Sequence, residues 1–154
     1  MMKTALLSAC VLAGALFSCN SAPSKKERDS AVTNPELTNT SATCYMKAVG
    51  KDTFLLQVLV EGDKVDGVLD YDFFEKDKSS GILDGQLNDN ILRASYSFQA
   101  EGTQSTRQVV FKLMGDQAYE AIADSMDTQG NPVFNSQDEL LKFDPTPYRK
   151  QACQ

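Results

Sequence analysis

The stretch TFLLQVLVEGDKVDGVLDYDF, residues 53–73, decides the fold. Phe54, Leu56, Val58 and Val60 occupy every second position. Gly62-Asp63 then breaks the run, and Val65, Gly67, Leu69, Tyr71 and Phe73 resume the alternation against Asp66, Asp70 and Asp72. Successive side chains of an extended strand point to opposite faces, whereas a helix repeats about every 3.6 residues. The pattern therefore predicts two strands, each with one dry and one wet face, joined by a tight turn.

The same grammar continues downstream. Leu92, Ala94, Tyr96, Phe98 and Ala100 alternate with Arg93, Ser95, Ser97 and Gln99, and Val109, Phe111 and Leu113 alternate with Gln108 and Lys112. Turn residues recur at Gly50, Gly62-Asp63, Lys76 to Ser79, Asn88 to Asn90, Gly102, Gly115-Asp116 and Thr128 to Gly130. One strand and one short connection repeated in this way is an antiparallel up-and-down meander. Seven strands are expected, with an eighth over Pro132 to Phe134. One-sided sheets must hide their apolar face and edges, so the expectation is an all-β fold closing into a small lipocalin-like barrel, with a β-sandwich as the alternative. Gly67, Gly81, Gly85 and Ala94 stand where small size permits sharp coiling. Near the end, Ser136-Gln137-Asp138-Glu139 has a capping-box pattern before Leu140, Leu141 and Phe143, which predicts one short C-terminal helix stopped by Pro145.

The N-terminus follows a different rule. Lys3 precedes thirteen apolar or small residues, Ala5 to Phe17, too few to span a bilayer as a helix and suited to an export leader. Leu16-Phe17-Ser18-Cys19 resembles the lipobox of bacterial lipoproteins. The resemblance implies cleavage before Cys19, a diacylglyceryl thioether on its sulfur and an acylated amine, which together anchor stably where one chain would not. Residues 1–18 are thus expected to be a signal peptide and 19–41 the lipidated N-terminus with its tether. The segment NSAPSKKERDSAVTNPELTNTS carries almost no large apolar group, so ordering it would cost more than burial returns. A flexible chain of that length spans roughly 25 Å. Residues 42–154 are expected to form the folded domain. Asn20 is not the aspartate that retains some lipoproteins in the inner membrane, and no acidic run follows Cys19. The outer membrane, on its periplasmic face, is the expected location.

Composition narrows the chemistry. The chain has 15 basic and 21 acidic residues, a net charge of −6 that becomes −7 when Lys3 leaves with the leader. Without a basic run longer than Lys25-Lys26, it is not expected to bind nucleic acid, whose phosphates demand clustered cations. It has no histidine, which removes the commonest general base and the Ser-His-Asp and Cys-His arrangements. No catalytic residue, metal ligand set or cofactor is expected.

Once Cys10 and Cys19 are accounted for, Cys44 and Cys153 remain, and in an oxidising periplasm the pair is expected to be a structural disulfide. Asp66, Asp70, Asp72, Glu75 and Asp77 form an acidic ladder that reads as a solvated strand face rather than a calcium site, because DxDxDG spacing is absent. Arg107, beside Glu101 and Ser105 near the Gly102 turn, shares the parity of Val109, Phe111 and Leu113. It is expected at the interior or rim, pairing with Glu101 or Glu120, or binding an anionic headgroup. Tyr71, Tyr96 and Phe98, on inward positions, either fill the core or line a ligand cavity.

The run from Cys44 through Gly50-Lys51-Asp52-Thr53, Gly67-Val68-Leu69-Asp70-Tyr71, Glu75-Lys76-Asp77, Gly81, Gly85, Tyr96-Ser97-Phe98 and Glu101-Gly102 to Arg107 is similar to small envelope lipoproteins of Bacteroidota. That resemblance implies an envelope location and brings no activity with it. The expected function is a non-enzymatic, membrane-anchored binding domain for a small apolar ligand or an envelope protein. An envelope inhibitor or stress sensor, by analogy with small β-barrel lipoproteins that block lysozyme, is the alternative, and a hydrolase ranks last.

Overall fold

The computed structural model describes residues 41–76, 78–100 and 102–153. The segments expected to be the export leader and tether, except Ser41, together with Cys19, Asp77, Glu101 and Gln154, lie outside them.

Seven strands follow one another as a meander: β1 Thr43–Val49, β2 Asp52–Glu61, β3 Lys64–Asp72, β4 Ser79–Asn88, β5 Ile91–Ala100, β6 Thr103–Met114 and β7 Gln117–Ile122. The expected turns sit between them. Gly62, for example, has φ +67°, the positive value that a two-residue hairpin with glycine first requires. In the register, Phe54 faces Tyr71, Leu56 faces Leu69, and Leu83 faces Tyr96, so the apolar positions of neighbouring strands share one face.

The eighth position is filled by a strand in two pieces. After β7 the chain makes a separate hairpin from β8 Ser125–Met126 and β9 Pro132–Val133, then returns as β10 Lys142–Phe143 and β11 Tyr148–Gln151. Both returning pieces pair with β7, and β11 also pairs with β1, which closes an antiparallel eight-stranded barrel. Pro132 to Phe134 is therefore not the eighth barrel strand. Asp144-Pro-Thr-Pro147 interrupts that strand because neither proline can donate to a ladder.

The expected C-terminal helix is replaced by a single 3-10 turn, Asp138–Leu140, whose N-cap Gln137 makes no side-chain cap. Its first acid is otherwise engaged. Asp138 accepts from the Arg93 guanidinium at 2.6 Å, and the Gln137 N–H donates to Asn135 Oδ1 at 3.0 Å. Leu140 points to solvent, while Leu141 and Phe143 reach Ile91, Val110 and Ala121 on the outer barrel wall. The alternation of Leu141 and Phe143 is that of extended chain.

Inside the barrel, Leu56, Leu69, Leu92, Tyr96, Phe111 and Tyr148 are wholly buried. Burying each such side chain contributes about 1.5–3 kcal/mol before entropy is counted. The tight coil that closes only eight strands depends on missing side chains: a Cβ added at Gly85 would lie 2.6 Å from the Cβ of Ala94 across the ladder. Cys44 and Cys153 form a disulfide with Cα atoms 5.2 Å apart, fastening the first strand to the segment that follows β11.

Candidate functional site

The two ends of the barrel differ. One end carries the Gly62-Asp63, Asp89-Asn90 and Gly115-Asp116 turns, the incoming chain at Ala42 and the disulfide. It is closed by aliphatic side chains from Val60, Val65, Leu87, Leu92 and Leu113. The opposite end, the mouth, carries the Gly50, 73–78 and Gly102 connections and the long excursion from β7 to β10. Polar and aromatic side chains collect just inside it.

The sequence-singled residues Tyr71, Tyr96, Phe98 and Arg107 converge here. Inward parity on β3, β5 and β6 stacks Tyr96 on Phe98 with ring centres 4.7 Å apart and sets Tyr71 edge-on to Tyr96 at 5.9 Å. The guanidinium carbon of Arg107 lies 5.3, 5.5 and 5.0 Å from the ring centres of Tyr71, Tyr96 and Phe98. A guanidinium over aromatic faces is attracted by their quadrupoles while its planar donors stay available at the ring edges. The expected pairing with Glu120 is not made. The Glu120 carboxylate instead accepts the Tyr71 hydroxyl at 2.5 Å and the Tyr148 hydroxyl at 2.7 Å. Among the described residues, no acceptor lies within hydrogen-bonding reach of the Arg107 side chain.

The electrostatics follow from burial. Tyr71 and Tyr148 are held protonated far above the usual phenol range, chiefly by removal from water and then by the Glu120 charge beside them. Burial also raises Tyr96, although the Ser79 hydroxyl and Arg107 oppose the shift. On the far wall, Lys47 is only 8% exposed. It donates to Asp144 at 2.6 Å and stands 5.6 and 5.4 Å from the ring centres of Phe54 and Tyr148. The hydrogen bond from Lys47 and the Thr146 N–H hold the Asp144 carboxyl below its ordinary range.

Sequence reasoning missed Lys47 and gave Glu120 the wrong partner. Lys47 and Glu120 share inward parity with Tyr45 and Ala118, and that parity was the available signal.

The aromatic groups fill the lumen rather than line an empty one, since Tyr96 is 0% exposed. What opens at the mouth is a cleft of about 210 Å³ between β6 and β7, where Tyr71, Arg107 and Glu120 look out past Met126, Pro132 and Phe134 of the β8–β9 excursion. Around this end, Val49, Phe73, Phe74, Ile122 and Met126 are exposed apolar side chains. The acidic ladder is dispersed: Asp66 pairs with Lys64, Asp72 with Lys78, and Asp70 accepts from Ser80. Among the described residues, no three acids or cysteines gather as a metal set.

Fold and site together define a small antiparallel barrel with a filled interior and one polar, aromatic mouth. Compared with protein-family models, with curated proteins and with solved structures, the chain matches none.

Proposed function

We propose that this protein is a non-enzymatic binding module of the bacterial envelope, anchored through acylated Cys19 to the periplasmic face of the outer membrane, and that its partner is a protein engaged at the barrel mouth. One observation carries the choice of a protein over a small apolar ligand. The inward rings of Tyr71, Tyr96 and Phe98 pack on one another and on Arg107, while Phe74 and Met126, 44% and 65% exposed, stand at the mouth. A small apolar ligand needs an enclosed hollow, and exposed apolar groups beside polar ones mark a surface that another protein covers.

The anchor rests on the lipobox pattern at Leu16 to Cys19. Intact mass of the membrane-extracted chain is expected to show a diacylglyceryl cysteine at the new N-terminus, and Cys19→Ser to release the protein from membranes. Native mass spectrometry of the extracted protein is expected to show a polypeptide partner. A stoichiometric fatty acid or lipid in the barrel, or turnover of any substrate, would overturn the reading.

A further inference from the structure

The ladder between β5 and β6 runs from Ile91↔Lys112 to Ala100↔Thr103, but the ladder between β6 and β7 stops at Phe111↔Glu120. The first part of β6 therefore has a strand on one side only. The Leu113 N–H donates to the Asn90 carbonyl on the β5 side. Since N–H and C=O of one residue in an antiparallel strand point the same way and alternate along the chain, odd-numbered residues of β6 face β5. Gln104, Thr106 and Gln108 turn their backbone groups to the open side. The close approach of Ser97 Oγ and Thr106 Oγ1, at 3.0 Å, is what a non-hydrogen-bonded pair at Thr106 produces. Thr103, Gln104, Ser105, Thr106 and Gln108 are all exposed.

Exposed edges are ordinarily blunted by lysine, proline, a bulge or a covering segment. Thr103-Gln-Ser-Thr-Arg-Gln108 has neither of the first two and its register with β5 is unbroken, so its one charged guard is the inward Arg107. Asn131 and Pro132 lie close beside β6, next to an open groove of about 420 Å³ over the outer face that Arg93, Ser95, Thr106 and Gln108 also line. Neither Asn131 nor Pro132 forms a ladder with β6. Beside this edge, on its inward face, Arg107 lines the mouth cleft.

Resting on the reading of the protein as a binding module, we infer that the partner adds an extended segment as a strand to the open edge of β6, hydrogen-bonding Gln104, Thr106 and Gln108 and placing an aspartate or glutamate side chain inward against Arg107. Main-chain bonds supply affinity in such strand addition, and pockets for alternate side chains supply selectivity. The acid follows from charge complementarity, because Arg107 has no acceptor among the described residues and a carboxylate matches its fork. A second copy joined through the same edge about Ser105, Thr106 or Arg107 would not supply it: Thr103 to Gln108 contain no acid, and two-fold pairing centred there sets Arg107 against Thr103, Ser105 or another Arg107.

The test uses the full chain. Amide exchange is expected to alternate along β6, fast at Gln104, Thr106 and Gln108 and slow at Ser105, Arg107 and Val109. Uniformly slow exchange would mean the edge is already paired and would refute the proposal. A displayed library of random peptides, selected on the protein and resynthesised, is expected to yield period-two sequences with one inward acid that slow exchange at those three amides. Thr106→Pro removes an N–H that β5 does not use, so it should fold normally while weakening the selected peptide at least about tenfold. Arg107→Gln should weaken it about tenfold and abolish the preference for an acid over its amide. If peptides protect Phe73, Phe74 and Met126 instead, or bind Thr106→Pro unchanged, strand addition is wrong while the binding-module reading stands. If sedimentation shows a dimer that protects the same amides, the occupant is a second copy and the inference falls. A small molecule in place of a polypeptide in the membrane-extracted protein would sink the parent reading itself.

Discussion

Raising the pH offers a direct test of the mouth. The Tyr71 and Tyr148 hydroxyls are buried donors to one carboxylate, and both phenols stay protonated in the folded state well beyond their ordinary value. An unfolded tyrosine ionises near pH 10, so above that point the unfolded chain releases protons that the folded chain keeps. Their contribution is therefore fully present below about pH 10 and is lost as pH climbs past it. Each group costs about 1.4 kcal/mol per pH unit, and the two together about 2.7. By about pH 12 the loss approaches 5 kcal/mol, the lower end of the stability of an ordinary domain. Absorbance at 295 nm after a rapid pH jump should show a fast phase from tyrosines that ionise while folded, then a slow phase that coincides with loss of near-ultraviolet circular dichroism. Tyr71→Phe should cost about 1–2 kcal/mol at neutral pH, because Glu120 loses a donor, and should take about 1.4 kcal/mol per pH unit out of the alkaline slope. If all five tyrosines ionise rapidly and reversibly near pH 10 with the dichroism intact, these phenols are not buried donors and the account of the mouth is wrong.

Other perturbations reach separate parts of the structure. Cys153→Ser opens a covalent loop with a sequence separation of 109 and should lower urea-derived stability by up to about 4–5 kcal/mol. Gly85→Val should cost at least about 3 kcal/mol in the same assay, since its side chain would strike Ala94 and the backbone behind it. Phe143→Ala should cost about 2–3 kcal/mol and speed amide exchange in residues 134–143 while leaving β2 to β5 slow. Asp144→Asn should flatten the acid limb of a stability profile. The lowered carboxyl stabilises the fold above about pH 4 and loses that effect as pH falls, so the wild type and variant should converge under acid.

The meander could be read directly because β2, β3, β5 and the second half of β6 announce themselves locally through period-two apolar residues, while β4, with glycine at Gly81 and Gly85, was marked by its turns alone. The closing strand could not. Asp144 to Pro147 splits it into a two-residue and a four-residue piece, too short to display any period, and the spacing of Ser136 to Glu139 imitates a helix start. A capping pattern becomes a helix only when its acids and apolar residues have no better use. Here Arg93 takes Asp138, and the outer barrel wall takes Leu141 and Phe143. At the mouth, inward parity brought Tyr71, Tyr96, Phe98 and Arg107 together correctly. Glu120 settling on two phenols rather than on Arg107 depended on distances across the barrel, which sequence spacing does not encode. Lys47 lay in a strand whose alternation is weak, and its partner Asp144 sits in the interruption of the closing strand, a neighbour it acquires only on folding.

Ala42 and Cys153 meet at the same end of the barrel, with Cys153 Sγ 3.3 Å from the Ala42 carbonyl oxygen. A fluorophore, epitope or fused reporter appended beyond Cys153 therefore leaves from the end of the barrel opposite the mouth. The protein can be labelled at its C-terminus for imaging or pull-down without obstructing the groove where its partner would dock.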